Sequence, residues 1–115
     1  MMNLVSRCFF ASLAMALFVS GVGTVQSQEV ELLQVARDSA IIAGGARYCK
    51  FDPDEIESFT ARAEARLSLL ARDDYEKVLA RLEFKNNLDV FSAKAPEGGC
   101  QAFKAVFDQA LRSIR

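Results

Sequence analysis

Histidine and tryptophan are both absent from this chain, and proline occurs only twice, at Pro53 and Pro96. Without an imidazole, the chain lacks the usual general base of hydrolytic triads and the commonest nitrogen ligand of metal sites. Basic and acidic side chains nearly balance, 14 against 15, so no excess of positive charge is available for nucleic acid. We therefore expect no nucleic-acid partner, no metal and no cofactor.

The first 27 residues have the composition of a secretory signal peptide. Arg7 gives a positive start, and the uncharged apolar run Cys8–Val19 spans 12 residues, whereas a membrane-spanning helix needs roughly 20. We expect cleavage after Ser27, with cleavage after Gly21 and an uncleaved anchor as the alternatives. The predicted domain is then residues 28–115, located in the periplasm or secreted, with no membrane contact after cleavage.

Removal of this leader leaves two of the three cysteines, Cys49 and Cys100, in a mature chain of 88 residues. An even cysteine count in an exported chain predicts a structural disulfide. A bridge between them closes a loop of about 50 residues, which is worth about 4 kcal/mol by loop-closure entropy. The alternative is two free thiols, one of them reactive.

Apolar residues recur at helical spacing throughout the mature chain and predict an all-α bundle of about four helices, stapled by the disulfide. The first helix is expected from Glu29 to Ala46 or Cys49. The pair Gly44-Gly45 lies inside this range, and it either ends the helix early or allows a close helix crossing. The final helix follows Pro96 and Gly98-Gly99.

The second helix has the clearest start. Asp52 is the predicted N-cap, Pro53 occupies the first helical position and Glu55 follows at the third, and the helix is expected to end near Arg72. The third helix is predicted to begin at Asp73 or Asp74, with Glu76 at the third position if Asp73 is the cap.

The third helix carries two apolar stripes where a surface helix needs one, so it is either central or partnered, or it breaks near Asn86-Asn87. The first contains Tyr75, Val78, Leu79, Leu82 and Val90. The second contains Ala80, Phe84, Leu88 and Phe91, of which the last three are the candidate interaction surface. This second stripe is either core, in a helix covered on both sides, or an interaction surface for a partner or a second copy of the chain.

Acidic residues cluster at the two predicted helix starts. They are Asp52, Asp54, Glu55 and Glu57 before and within the second helix, and Asp73 and Asp74 before the third. The first group lacks the spacing of a calcium loop, and neither group predicts two carboxyl groups facing each other across a cleft. Capping explains both groups, so we expect that the protein is not an enzyme.

The layout, with one cysteine after the first helix and the other at the start of a final amphipathic helix, resembles that of the acid-stress chaperones of the Gram-negative periplasm. Small periplasmic immunity proteins and lysozyme inhibitors share this format. The resemblance implies an exported binding or interaction protein, either a stress chaperone or an inhibitor or immunity protein directed at a cell-wall enzyme. Because no motif is shared, no functional residue is assigned from it.

Overall fold

The computed structural model describes residues 24–114, and within this range the chain is folded into four α-helices with no strand. The helices are α1 (Thr24–Tyr48), α2 (Pro53–Leu70), α3 (Asp74–Ser92) and α4 (Gly99–Ser113). The predicted all-α class and number of helices are confirmed. Residues 1–23, with most of the predicted signal peptide and the cleavage site after Gly21, lie outside the described residues. Since α1 begins at Thr24, it includes the predicted cleavage site after Ser27.

Both predicted caps are present. The Asp52 carboxylate accepts a hydrogen bond from the backbone N–H of Asp54 (2.9 Å), and the Asp73 carboxylate accepts one from the backbone N–H of Glu76 (2.8 Å). α2 ends at Leu70, two residues earlier than expected, because Ala71 adopts an extended conformation with ψ of 137°. Local side-chain chemistry therefore determines where α2 and α3 begin.

α1 is the central element, since α2, α3 and α4 all pack against it and α3 packs most extensively. Its buried face consists mainly of alanine: Leu32, Ala36, Ala40, Ala43 and Ala46. The glycine pair does not end the helix. A Cβ atom on Gly44 would lie 2.7 Å from the Cβ of Phe91, so this glycine permits the close crossing of α1 with α3.

α4 is attached to the other helices by the predicted disulfide and by aromatic packing. Cys49 and Cys100 are bonded, with their Cα atoms 5.5 Å apart. Phe107 on α4 is fully buried, and its ring centroid lies 5.6 Å from that of Phe51 and 6.0 Å from that of Phe59 on α2. The bridge thus joins the end of α1 to the start of α4, over the core, as the sequence predicts.

The two stripes of α3 have different environments. Phe84 is fully buried, Leu88 is 6% exposed and Phe91 is half-buried. Phe84 and Leu88 belong to the core of the chain and do not form an exposed surface, which corrects that alternative for these two residues, whereas Phe91 lies at the edge of the core. The physical reason is that α3 turns this side towards α1, where Phe91 packs on Gly44. The exposed apolar residues of α3, which we call its outer stripe, are Tyr75, Val78, Leu82 and Val90.

Candidate functional site

An open groove separates α3 from α4 on the surface of α1. Both helices pack on α1 but scarcely touch each other, and the space between them is about 630 Å³. Ile41 and Gly45 of α1 line its floor, Phe91 lines the α3 side, and Phe103 and Val106 line the α4 side. We call this space the α3/α4 groove. Its lining is mainly apolar, which is typical of binding sites for ligands with a hydrophobic part.

The loop between α3 and α4 closes one end of the groove and brings two charges to it. Lys94 and Glu97 both line the groove together with Ala95 and Pro96. Lys94 Nζ lies 4.6 Å from the centroid of the Phe91 ring, in a cation–π contact. Both charged residues are exposed, and neither belongs to the ion pairs formed within residues 24–114.

Gly45 sets the depth of the groove. A Cβ atom at this position would lie 2.7 Å from Cζ of Phe103, so the ring could not rest against α1 if another residue replaced the glycine. Phe103 is in turn 6% exposed and stacks on Phe51, with ring centroids 6.1 Å apart. The α4 side of the groove is therefore held by packing that depends on one small residue in α1.

A cluster of polar side chains lies around Glu76, near the N-terminal end of α1 and far from the α3–α4 loop. This glutamate is only 4% exposed, and its carboxylate accepts hydrogen bonds from the backbone N–H of Arg72 (2.7 Å) and from Nε of Arg72 (2.9 Å). Nη1 of Arg72 also donates to Oε1 of Gln28 (2.9 Å), which links the α2–α3 connection to the start of α1. These three residues line a cavity of about 390 Å³ together with Leu32 and Leu70.

The same contacts perturb both ionisable groups. The guanidinium of Arg72, through its hydrogen bond and then the backbone N–H of the same residue, holds the pKa of Glu76 below its ordinary value of 4.5, although burial acts in the opposite direction. The Glu76 carboxylate raises the pKa of Arg72. This pair stays ionised at any pH above the ordinary glutamate range, so it acts as a structural link and is poorly suited to proton transfer.

The acidic clusters found in the sequence serve the helix starts. Asp52 and Asp73 cap α2 and α3, and Asp74 is fully exposed with Lys77 Nζ 3.9 Å away. Among residues 24–114, no three histidine, cysteine, aspartate or glutamate side chains are grouped so that they could hold a metal ion. The two cysteines assigned to a disulfide form it, and they are therefore not free thiols.

Sequence reasoning found some residues of these sites and missed their roles. The sequence predicts Phe91 as part of a continuous second stripe, whereas in the structure it lines the groove and packs on α1. The sequence does not predict a binding role for Ile41 or Val106. Each lies beside an apolar stripe of its own helix, and the residues it faces across the groove belong to another helix. The sequence predicts Glu76 only as the third residue of a capped helix. Its buried pairing with Arg72 depends on the fold of the preceding turn.

The chain was compared with protein-family models, with curated proteins and with solved structures, and none of these matches it. None of the helices in residues 24–114 is both long enough and apolar enough to cross a membrane.

Proposed function

We propose that this protein is an exported, non-enzymatic binding protein and that the α3/α4 groove is its binding site. The observation that carries the proposal is the apolar space of about 630 Å³ that α3 and α4 leave open on α1. It has a largely apolar lining and two charges at one end, the arrangement by which binding proteins hold and orient a ligand.

Export is supported by two features that are independent of the groove. The apolar run Cys8–Val19 follows a positive residue, as in a signal peptide, and the folded chain contains the bridge Cys49–Cys100. Structural disulfides persist in oxidising compartments and are rare in the cytosol. The proposed location is therefore the periplasm or the extracellular medium.

A stress chaperone is one form of this function, and Glu76 limits how an acid-triggered one could work. The chain has no histidine, so a pH switch must use carboxylates. Because the pKa of Glu76 is lowered by Arg72, acid would weaken the pair between Glu76 and Arg72 only below the ordinary glutamate range. A chaperone of this design would hold its clients in strong acid and be inactive near pH 6.

A folded protein partner, as in an inhibitor or immunity protein, or a second copy of the chain would use another surface. The outer stripe of α3 presents Tyr75, Val78 and Leu82, each more than half exposed. Such a partner would cover this stripe and leave the groove free. Substitution of Val78 on the stripe and of Val106 in the groove therefore separates the two modes of binding.

The test is titration with the neutral apolar dye N-phenylnaphthylamine, followed by its fluorescence. Val106 is 50% exposed in the groove and Val78 is 56% exposed on the outer stripe, so Val106→Asp and Val78→Asp are matched in chemistry and exposure. We expect saturable binding of one dye per chain, weakened about tenfold by Val106→Asp, a change of about 1.4 kcal/mol, and unaffected by Val78→Asp. Equal binding by wild type and Val106→Asp, with helical content unchanged by circular dichroism, would contradict the proposal.

A further inference from the structure

The α3/α4 groove is polar at one end and apolar at the other, and we propose that it binds a single-chain amphiphile with a zwitterionic head group of the phosphocholine type. This inference rests on the proposed function, since it names the ligand class of the same groove. The head group would lie at the α3–α4 loop and the hydrocarbon chain would run between α3 and α4.

The direction of the groove follows from the antiparallel arrangement of α1 and α4. Cys49 is bonded to Cys100 at the loop end, and one turn further on Gly45 faces Phe103. Ile41 and Val106 lie about one more turn from the loop, on the two sides of the same space. The groove therefore leads away from the charged loop towards residues that offer only hydrocarbon contact.

The two charges at the loop end complement a head group that carries both signs. Lys94 would pair with a phosphate, and Glu97 with a quaternary ammonium. The ring of Phe91 contacts the Lys94 ammonium at 4.6 Å and so holds this positive charge at the loop end of the groove. A carboxylate head group would pair with Lys94 but be repelled by Glu97. A purely cationic head group would pair with Glu97 but be repelled by Lys94.

The size of the site is compatible with an amphiphile that has one hydrocarbon chain. Its volume of about 630 Å³ falls within the range of small-molecule sites, about 300–1,000 Å³. Hydrocarbon can contact the groove lining between Phe91 and Val106, and the adjacent side of α4 is committed to the core through Phe107.

The experiment measures displacement of N-phenylnaphthylamine from the oxidised protein by three amphiphiles with the same ten-carbon chain, all below their micellar concentrations. These are decylphosphocholine, decanoate and decyltrimethylammonium. We expect decylphosphocholine to displace the dye at a concentration about tenfold lower than the other two, which corresponds to about 1.4 kcal/mol. Lys94→Ala and Glu97→Ala should each remove most of this preference, and Lys85→Ala, an exposed lysine on α3 away from the groove lining, should not.

The outcomes separate this inference from the proposed function. If the dye binds in the groove but the three amphiphiles displace it equally, or none does, head-group recognition is absent and the inference is overturned while the binding site stands. The same result is expected if the natural ligand of the groove is a peptide segment. If Val106→Asp leaves dye binding unchanged, the groove is not the site and both proposals are overturned.

Discussion

Glu76 is the charged residue whose position is least expected from its chemistry. It is 4% exposed, the most buried charged side chain in residues 24–114, yet it stands in the first turn of a helix where glutamate is usually solvated. Its hydrogen bonds with Arg72 compensate for the lost hydration, and Arg72 extends the link to Gln28 on α1. One buried carboxylate thus connects three parts of the chain.

The lowered pKa of Glu76 makes the stability of the fold depend on pH. Because the folded-state pKa lies below the unfolded value, the carboxylate contributes stability above about pH 4.5 and this contribution is lost as the pH falls through the folded-state value. We predict that Glu76→Gln lowers the free energy of unfolding at pH 7 and reduces its decrease between pH 7 and pH 3. Urea titrations at both values measure this.

The matched control for this experiment is Glu57→Gln, which removes an exposed carboxylate from α2. It should leave both the stability at pH 7 and its acid dependence close to those of the wild type. Equal behaviour of the two variants would show that the buried pair with Arg72 does not couple protonation to folding.

At the scale of the helices, the sequence predicts what local interactions control. Asp52 and Asp73 lie directly before the helices they cap, so the starts of α2 and α3 could be located without the fold. The sequence does not show which stripe of α3 is buried, because both stripes are apolar and the buried one is determined by contact with α1. The groove was missed for the same reason, since its lining comes from three separate segments.

The glycine pair of α1 shows how packing between helices overrides local preference. We predict that Gly44→Ala destabilises the fold by about 2 kcal/mol, since its Cβ would lie 2.7 Å from Cβ and 2.8 Å from the backbone C of Phe91 and the two helices would have to separate. The gain in helix propensity, about 1 kcal/mol, is smaller. Thermal and urea unfolding measure the net change.

Gly45→Ala is the natural comparison because it adds the same methyl group one residue later. Here the Cβ would meet Cζ of Phe103, the end of a side chain that can turn into the groove. We expect a smaller loss of stability than for Gly44→Ala, together with weaker dye binding. The opposite order of stabilities would show that α3 does not approach α1 as closely as the structure indicates.

For the molecule as a whole, α1 is the common support and the disulfide fixes α4 to it. Cys49 and Cys100 close a loop over a sequence separation of 51 residues, so the bridge restricts most of the unfolded chain. α4 provides Phe107 to the core and the Phe103 and Val106 side of the groove. Loss of the bridge should therefore affect folding and binding together.

We predict that the double substitution Cys49→Ser with Cys100→Ser lowers the free energy of unfolding by about 4 kcal/mol relative to the oxidised protein. Hydrogen exchange should show the greatest loss of amide protection in α4, which the bridge attaches to α1. Unfolding at the same urea concentration with and without the bridge would contradict this, as would free labelling of both thiols in denatured, unreduced protein.

The central claim is that ligands occupy the α3/α4 groove, and the most direct test is amide chemical-shift mapping by NMR with N-phenylnaphthylamine. The account predicts that the largest shifts occur at Gly45, Phe103 and Val106, while the outer-stripe residues Val78 and Leu82 do not move. Shifts concentrated on the outer stripe of α3, with the groove residues unchanged, would contradict it.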